Sequence, residues 1–213
     1  FRRQRQMCIR DRMNKMDIFE DNYHNVKVWQ KIDSQRFLPF ALPDVREEEK
    51  NEIIDTIDSG WLSTGPKSKK FEHALEEYFN VEGLHCIPVS SCTAGLHLQL
   101  LAYDVGPGDE VITTPLTFCS TVHTILQTGA TPVFVDIDPK TFNLDLNGVE
   151  EKITAKTKAV VPVYYGGNPI DYDSLKNITD PFDIKILVEA AHAIGGEYKG
   201  KNLGSFEDAA AFS

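Results

Sequence analysis

The 213-residue chain has no Cys-x-x-Cys pair, and its four cysteines (Cys8, Cys86, Cys92 and Cys119) are too scattered for a zinc ribbon or a disulfide framework. A reducing, cytoplasmic setting is the expectation that follows. No apolar run approaches the roughly 18 residues that a membrane-spanning helix needs. Basic residues are in deficit: 22 Lys and Arg stand against 32 Asp and Glu, for a net charge of −10. That balance argues against a nucleic-acid or membrane-surface binder, because phosphate-rich partners select stripes of Lys and Arg. Neither a G-x-G-x-x-G nor a G-x-x-x-x-G-K-S/T loop is present, which removes the usual dinucleotide and P-loop readings. What is present is ordinary for a globular chain: 41% hydrophobic, 25% charged and 10% aromatic residues.

The charge is unevenly spread. Residues 1–12, FRRQRQMCIRDR, hold five Arg and one Asp and leave −14 on the remainder. No apolar stretch follows Arg12, so a targeting signal is not indicated, and the run from Met7 to Arg12 resembles a translated sequencing-library adapter. We therefore set residues 1–12 aside as foreign to the fold. We read 13–36 as an N-terminal segment and 37–213 as the N-terminal part of a larger domain.

From Pro43 onward the pattern becomes regular. Asp44 with Glu47 suggests a capping box for a helix that presents Ile53, Ile54 and Ile57 and stops at Gly60. Pro66 suits the first turn of a second helix carrying Phe71, Leu75, Tyr78 and Phe79. Strands are then expected at 84–89, 110–114, 132–137, 159–165 and 184–189. Helices are expected at 93–103, 118–127 and 172–177, with a short one capped by Asn147 and Glu150. A hairpin turning near Gly200 and a last strand at AAAFS complete the series. Alternating β and α elements with apolar strands predict a mostly parallel sheet covered on both faces, an α/β/α sandwich.

Four loops carry candidate chemistry. Ser90–Gly95 joins a strand to a helix with small hydroxyl-bearing residues, suited to an anion at a helix N-terminus or to an ordinary N-cap. Thr117–Ser120 follows a strand, where Phe118 could stack on a flat ring or belong to the core. Val188–His192 places Glu189 at the end of an apolar strand, with His192 three residues on. A carboxylate there is costly to bury unless paired, which makes it a functional candidate beside the alternative of a solvent-reaching strand end. Gly60–Pro66 is a loop with Trp61, Ser63 and Thr64 that suits a polar ligand or a simple helix connection. His73, His85 and His97 lack partners at metal spacing, so no metal site is expected.

The segments LPFALPDV, SGWLSTGPK, SSCTAGLHLQLLA, GPGDEVITTPLTF, GATPVFVDIDPKTFNLD, VPVYYGGNPID and AAHAIGGEYKGKNLGSFEDAAAFS, in this order, resemble the DegT/DnrJ/EryC1/StrS sugar aminotransferases. The resemblance implies the large domain of the aspartate aminotransferase-like fold, with pyridoxal 5'-phosphate (PLP) as cofactor. It places Cys92 and Thr93 at the cofactor phosphate, with Cys92 where Gly is commoner, and Ser213 at the same phosphate. Phe118 would stack on the pyridine ring, Glu189 would face the ring nitrogen, and His192 would reach the 3-hydroxyl. Trp61 and Thr64 would help form the substrate side. The implied substrates are a nucleotide-linked keto-sugar and an amino-acid donor, glutamate by expectation. The intact protein would be a homodimer supplying surface polysaccharide synthesis.

Two departures accompany the resemblance. Glu189 stands where Asp is usual, either as a true substitution or as the result of one residue lost from V-E-D-A-A-H. The family's cofactor-linking lysine is expected about five residues beyond Ser213, so the 213 residues alone are expected to have no transaminase turnover. Histidine at that place would instead imply a sugar dehydratase, and loss of both groups a non-enzymatic relative.

Overall fold

The structure is a computed structural model in which residues 43–213 are described. The readings for 1–12, 13–36 and 37–42 lie outside the described residues. The chain divides after Leu62 into two compact units.

In the first unit, α1 spans Glu47–Asp58. Its capping box is formed by Arg46 and Glu49, and not by Asp44 and Glu47 as the spacing suggested: the Arg46 N–H donates to Glu49 Oε2 at 2.6 Å. Asp44 instead pairs with the Arg46 guanidinium, which shifts the helix start by two residues.

The second unit opens with α2, Pro66–Phe79, whose proline sits in the first turn where a missing N–H costs nothing. There follow α3 (Cys92–Ala102), β1 (Glu110–Thr113), α4 (Cys119–Thr128), β2 (Thr131–Phe134), α5 (Leu146–Lys152) and β3 (Thr157–Val161). Then come α6 (Tyr172–Thr179), β4 (Lys185–Glu189), the short pair β5 (Glu197–Tyr198) and β6 (Lys201–Asn202), and β7 (Ala209–Ala211). Five strands form one parallel sheet in the order β2-β1-β3-β4-β7. Residues alternate between its faces, as pleating requires. Val111, Ala159, Val161 and Leu187 pack on one side with Leu100 and Ile125 of α3 and α4. Ile112, Val160, Ile186 and Val188 pack on the other with Val149, Tyr172 and Leu175 of α5 and α6. This is the expected three-layer α/β/α arrangement. Each such fully buried aliphatic side chain contributes about 1.5–3 kcal/mol, so the central strands anchor the loops at their carboxyl ends.

Three local readings change. Residues 84–89 carry no regular secondary structure: no strand among the described residues hydrogen-bonds along them, and Ile87 is exposed. Apolar composition proposes a strand, but only a partner backbone makes one. The cap of α5 is Asp145, whose carboxylate accepts the Asn147 N–H at 3.1 Å, and not Asn147 itself. Finally, β3 stops at Val161, and Tyr165–Gly167 form a tight turn with Gly166 and Gly167 at φ 62° and 82°. The hairpin turns where expected, at Lys199–Gly200, both with positive φ. Tyr164, buried between β3 and the 165–167 turn, donates to Glu207 Oε1 at 2.9 Å and so ties the approach to β7 to the core.

Candidate active site

All five strands of the main sheet point the same way, so their carboxyl ends share one edge. The chain steps from β1 outward to β2 and then returns across β1 to β3. Such a reversal opens a crevice at that edge, the usual ligand position in open α/β sheets.

Phe118 stands five residues past β1 and is the N-cap residue of α4; the residue is 73% exposed. An aromatic this exposed at a strand's carboxyl end is not core. Glu189 ends β4 and is only 9% exposed. Its Oε1 accepts the Ala191 N–H at 2.9 Å and lies 3.8 Å from Cys92 Sγ. The carboxylate thus turns toward the N-terminus of α3, where Cys92 and Thr93 are the first two helical residues.

Cys92 is the link between these elements. Its thiol reaches the Ala211 carbonyl of β7 at 3.4 Å as well as Glu189, so one side chain joins α3, β4 and β7. Burial, followed by the neighbouring Glu189 charge, pushes the Cys92 thiol up to about 12. It is therefore a neutral S–H donor and not a nucleophile. At the helix start the Ser91 hydroxyl accepts the Ala94 N–H at 3.2 Å. The N–H groups of Cys92 and Thr93 precede the first intrahelical bond, a geometry that receives an anion.

His192 is exposed three residues beyond Glu189. Its Nδ1 accepts the Gly166 N–H at 3.4 Å, and its ring lies edge-on to Tyr165 with centroids 6.5 Å apart. Ser213 is exposed two residues past β7. Trp61 and Thr64 are exposed on the loop between α1 and α2, Trp61 in the first unit and Thr64 in the second. Contacts therefore join Cys92 to Glu189. Phe118, His192 and Ser213 lie on the same sheet edge by topology, since each follows the carboxyl end of a parallel strand.

The residues fit a phosphorylated aromatic cofactor. A helix N-terminus suits the phosphate, an exposed aromatic face suits the ring, and a buried carboxylate suits a ring cation. The 165–167 turn escaped the sequence reading. Its two consecutive glycines were the available signal, since paired positive φ values are seldom adopted by other residues.

Solved aminotransferases share a fold of this kind. The model of the DegT/DnrJ/EryC1/StrS aminotransferase family matches residues 43–213, and the chain belongs to that family. It is 48% identical over 177 residues to the spore coat polysaccharide biosynthesis protein SpsC of Bacillus subtilis, covering 83% of this chain and 45% of SpsC. Spr1654 of Streptococcus pneumoniae, solved in apo, PMP and PLP forms, superposes in its PLP form with a TM-score of 0.77 at 39% identity, covering 83% of this chain and 48% of Spr1654. PseC of Helicobacter pylori, an aminotransferase involved in the biosynthesis of pseudoaminic acid, superposes with a TM-score of 0.75 at 32% identity, covering 82% of this chain and 47% of PseC. The chain spans about half the length of these relatives.

Proposed function

We propose that this chain is the cofactor-binding part of a PLP-dependent sugar aminotransferase that moves an amino group, from glutamate as donor, onto a nucleotide-linked keto-sugar. The observation that carries the reading is the buried Glu189 carboxylate at the end of β4, turned toward the N-terminus of α3. A carboxylate held there stabilises a protonated ring nitrogen, and an opposite charge within a few Å favours the protonated form. The N–H groups of Cys92 and Thr93, with Ser213, would hold the phosphate. Phe118 would stack on the ring, and His192 would reach its 3-hydroxyl. When bound, the cofactor supplies the electron sink for moving the amino group. The protein's own share is to fix the ring and hold the nitrogen's proton.

Trp61 and Thr64 are the proposed substrate-side residues. The likeness to SpsC, a spore coat polysaccharide biosynthesis protein, supports a role in making sugars for surface polysaccharide, and the proposed setting is the cytoplasm. We propose a homodimer for the intact enzyme.

Pyridoxamine 5'-phosphate is the appropriate probe, because it needs no covalent lysine link and does not label surface lysines. Equilibrium dialysis against the 213-residue chain is expected to show one site. Phe118→Ala and Glu189→Gln should each weaken binding about tenfold, given stacking and charged hydrogen-bond terms of about 1–3 kcal/mol. Absence of saturable binding, or equal affinity in all three proteins, would sink the proposal.

A further inference from the structure

His192 is the one candidate residue whose ring is exposed yet held by groups the proposed chemistry does not itself use. Those groups converge from one turn. The Gly166 N–H donates to His192 Nδ1 at 3.4 Å. The Tyr165 ring meets the imidazole edge-on at 72°. Gly167, at φ 82°, lies so close to the His192 backbone that a Cβ there would come within 2.8 Å of the His192 carbonyl oxygen.

The turn is itself tied down from two sides. The Tyr164 N–H donates to the Glu189 carbonyl at 3.0 Å, which fixes the turn relative to the end of β4. Asn143 Nδ2 donates to the carbonyls of Asn168 and Pro169 at 3.2 and 3.1 Å, and Asn168 Nδ2 donates back to the Thr141 carbonyl at 3.1 Å. Two adjacent residues with positive φ are therefore maintained against their conformational entropy, directly beneath the imidazole.

We infer that Tyr165–Gly167 is the positioning element of His192: the Gly166 N–H occupies Nδ1, so the neutral ring carries its proton on Nε2 and presents that N–H to an anionic oxygen in the site. The nitrogen that accepts a hydrogen bond cannot also hold the proton, so the backbone selects the tautomer. A ring with the opposite tautomer would present a lone pair to the oxygen and repel it. Tyr165 limits rotation of the imidazole about its side-chain axis, and Gly167 sets its height. That the oxygen belongs to PLP rests on the function proposed above. The tautomer and its control by the turn do not.

The test uses the 213-residue chain with nitrogen-15-labelled histidine at pH 8, read by long-range proton–nitrogen correlation, with His192→Gln to assign the signal. The wild type should show one His192 tautomer, with Nε2 protonated and Nδ1 bare. Gly167→Ala should give the averaged mixture seen for histidine in an unstructured peptide. Tyr165→Ala should move part of the way, and Tyr165→Phe should restore the wild-type pattern. In dialysis against pyridoxamine 5'-phosphate, Gly167→Ala and His192→Ala should each weaken binding about tenfold, and the double variant should be no weaker than either single one.

A wild-type His192 protonated on Nδ1, or already averaged, overturns the inference. So does multiplication of the two losses in the double variant, since Gly167 would then act independently of His192. Failure of the wild type to bind the probe at all overturns the proposed function instead, and the nitrogen spectra still decide the positioning role.

Discussion

Cys92 stands at a junction of three elements. Its thiol, pushed up to about 12 by burial first and Glu189 second, is neutral at any physiological pH. Cys119 at the start of α4 is exposed. Iodoacetamide at pH 8, followed by peptide mass spectrometry, should therefore label Cys119 at least about tenfold faster than Cys92, because the thiolate is the reacting species. Comparable rates at the two sites would contradict the described contacts. The same raised pKa links to stability. The folded chain holds the Cys92 proton more tightly than the unfolded chain, so this contribution is complete below the ordinary thiol value near 9 and is lost as pH rises from there toward 12. Replacing Cys92 with Ala should flatten that alkaline slope. Gln99 on α3 is a second residue with a measurable consequence. It is 8% exposed, and neither its Nε2 nor its Oε1 has a hydrogen-bond partner among the described residues. An unpaired buried amide costs about 1–3 kcal/mol. Gln99→Met keeps the length and removes the polar atoms, so it should raise the unfolding midpoint in a urea titration. A lowered midpoint would mean that the amide is satisfied in solution.

The packing of α3 on β7 turns on Gly95. A Cβ there would sit 3.1 Å from Ala211 Cβ and 3.7 Å from Val89 Cγ2. Two effects compete on substitution. Ala in a helix interior gains about 1 kcal/mol over Gly, while overpacking a tight contact costs about 1–3 kcal/mol. Gly95→Ala should therefore change stability little, and Gly95→Leu should lose 2 kcal/mol or more, because a larger side chain pushes α3 away from β7. Denaturant unfolding of the pair separates the terms, and equal stability of the two variants would show that α3 has room to shift. Elements of this kind differ in how far they could be read beforehand. The central strands were legible because Val111, Ile112, Val160, Val161, Ile186, Leu187 and Val188 form short apolar runs that only a sheet covered on both faces buries. Residues 84–89 carry the same signal and form no strand, since pairing is a property of two segments and the composition of one cannot reveal it. Both cap positions moved by two residues, to Asp145 from Asn147 and to Arg46 from Asp44, because spacing alone does not say which neighbouring polar group meets the first free N–H. At the candidate site, the ordered motifs singled out Glu189, Phe118 and Cys92, and of these the structure brings Glu189 and Cys92 into contact. The hold of the 165–167 turn on His192 joins positions about 26 residues apart through backbone atoms, and side-chain identity carries almost no trace of that.

At the scale of the whole molecule, the boundary after Leu62 makes a prediction of its own. Residues 59–65 connect α1, which ends at Asp58, to α2, which begins at Pro66. Trp61 and Leu62 are 55% and 74% exposed, and Gly60 at φ 68° turns the chain just before them. Proteases need several residues of accessible, extendable backbone, which exposed interdomain segments provide and helices do not. Among the described residues, chymotrypsin at low concentration should therefore cut first after Trp61 or Leu62 and leave a resistant piece beginning at residue 62 or 63. Phe71 is also exposed, but it lies within α2 and its backbone is protected by helical hydrogen bonds. Among the described residues, the most exposed competing aromatic is Phe118, 73% exposed at the end of an irregular segment. These two cuts respond differently to ligand. Phe118 is proposed to lie against the cofactor ring, so pyridoxamine 5'-phosphate should suppress cleavage there and leave the 61–62 cut unchanged. Mass spectrometry of the fragments with and without the probe reads both outcomes. An early cut inside β1, β3 or β4 would contradict the sheet order, and a Phe118 cut indifferent to saturating probe would contradict the place given to that ring.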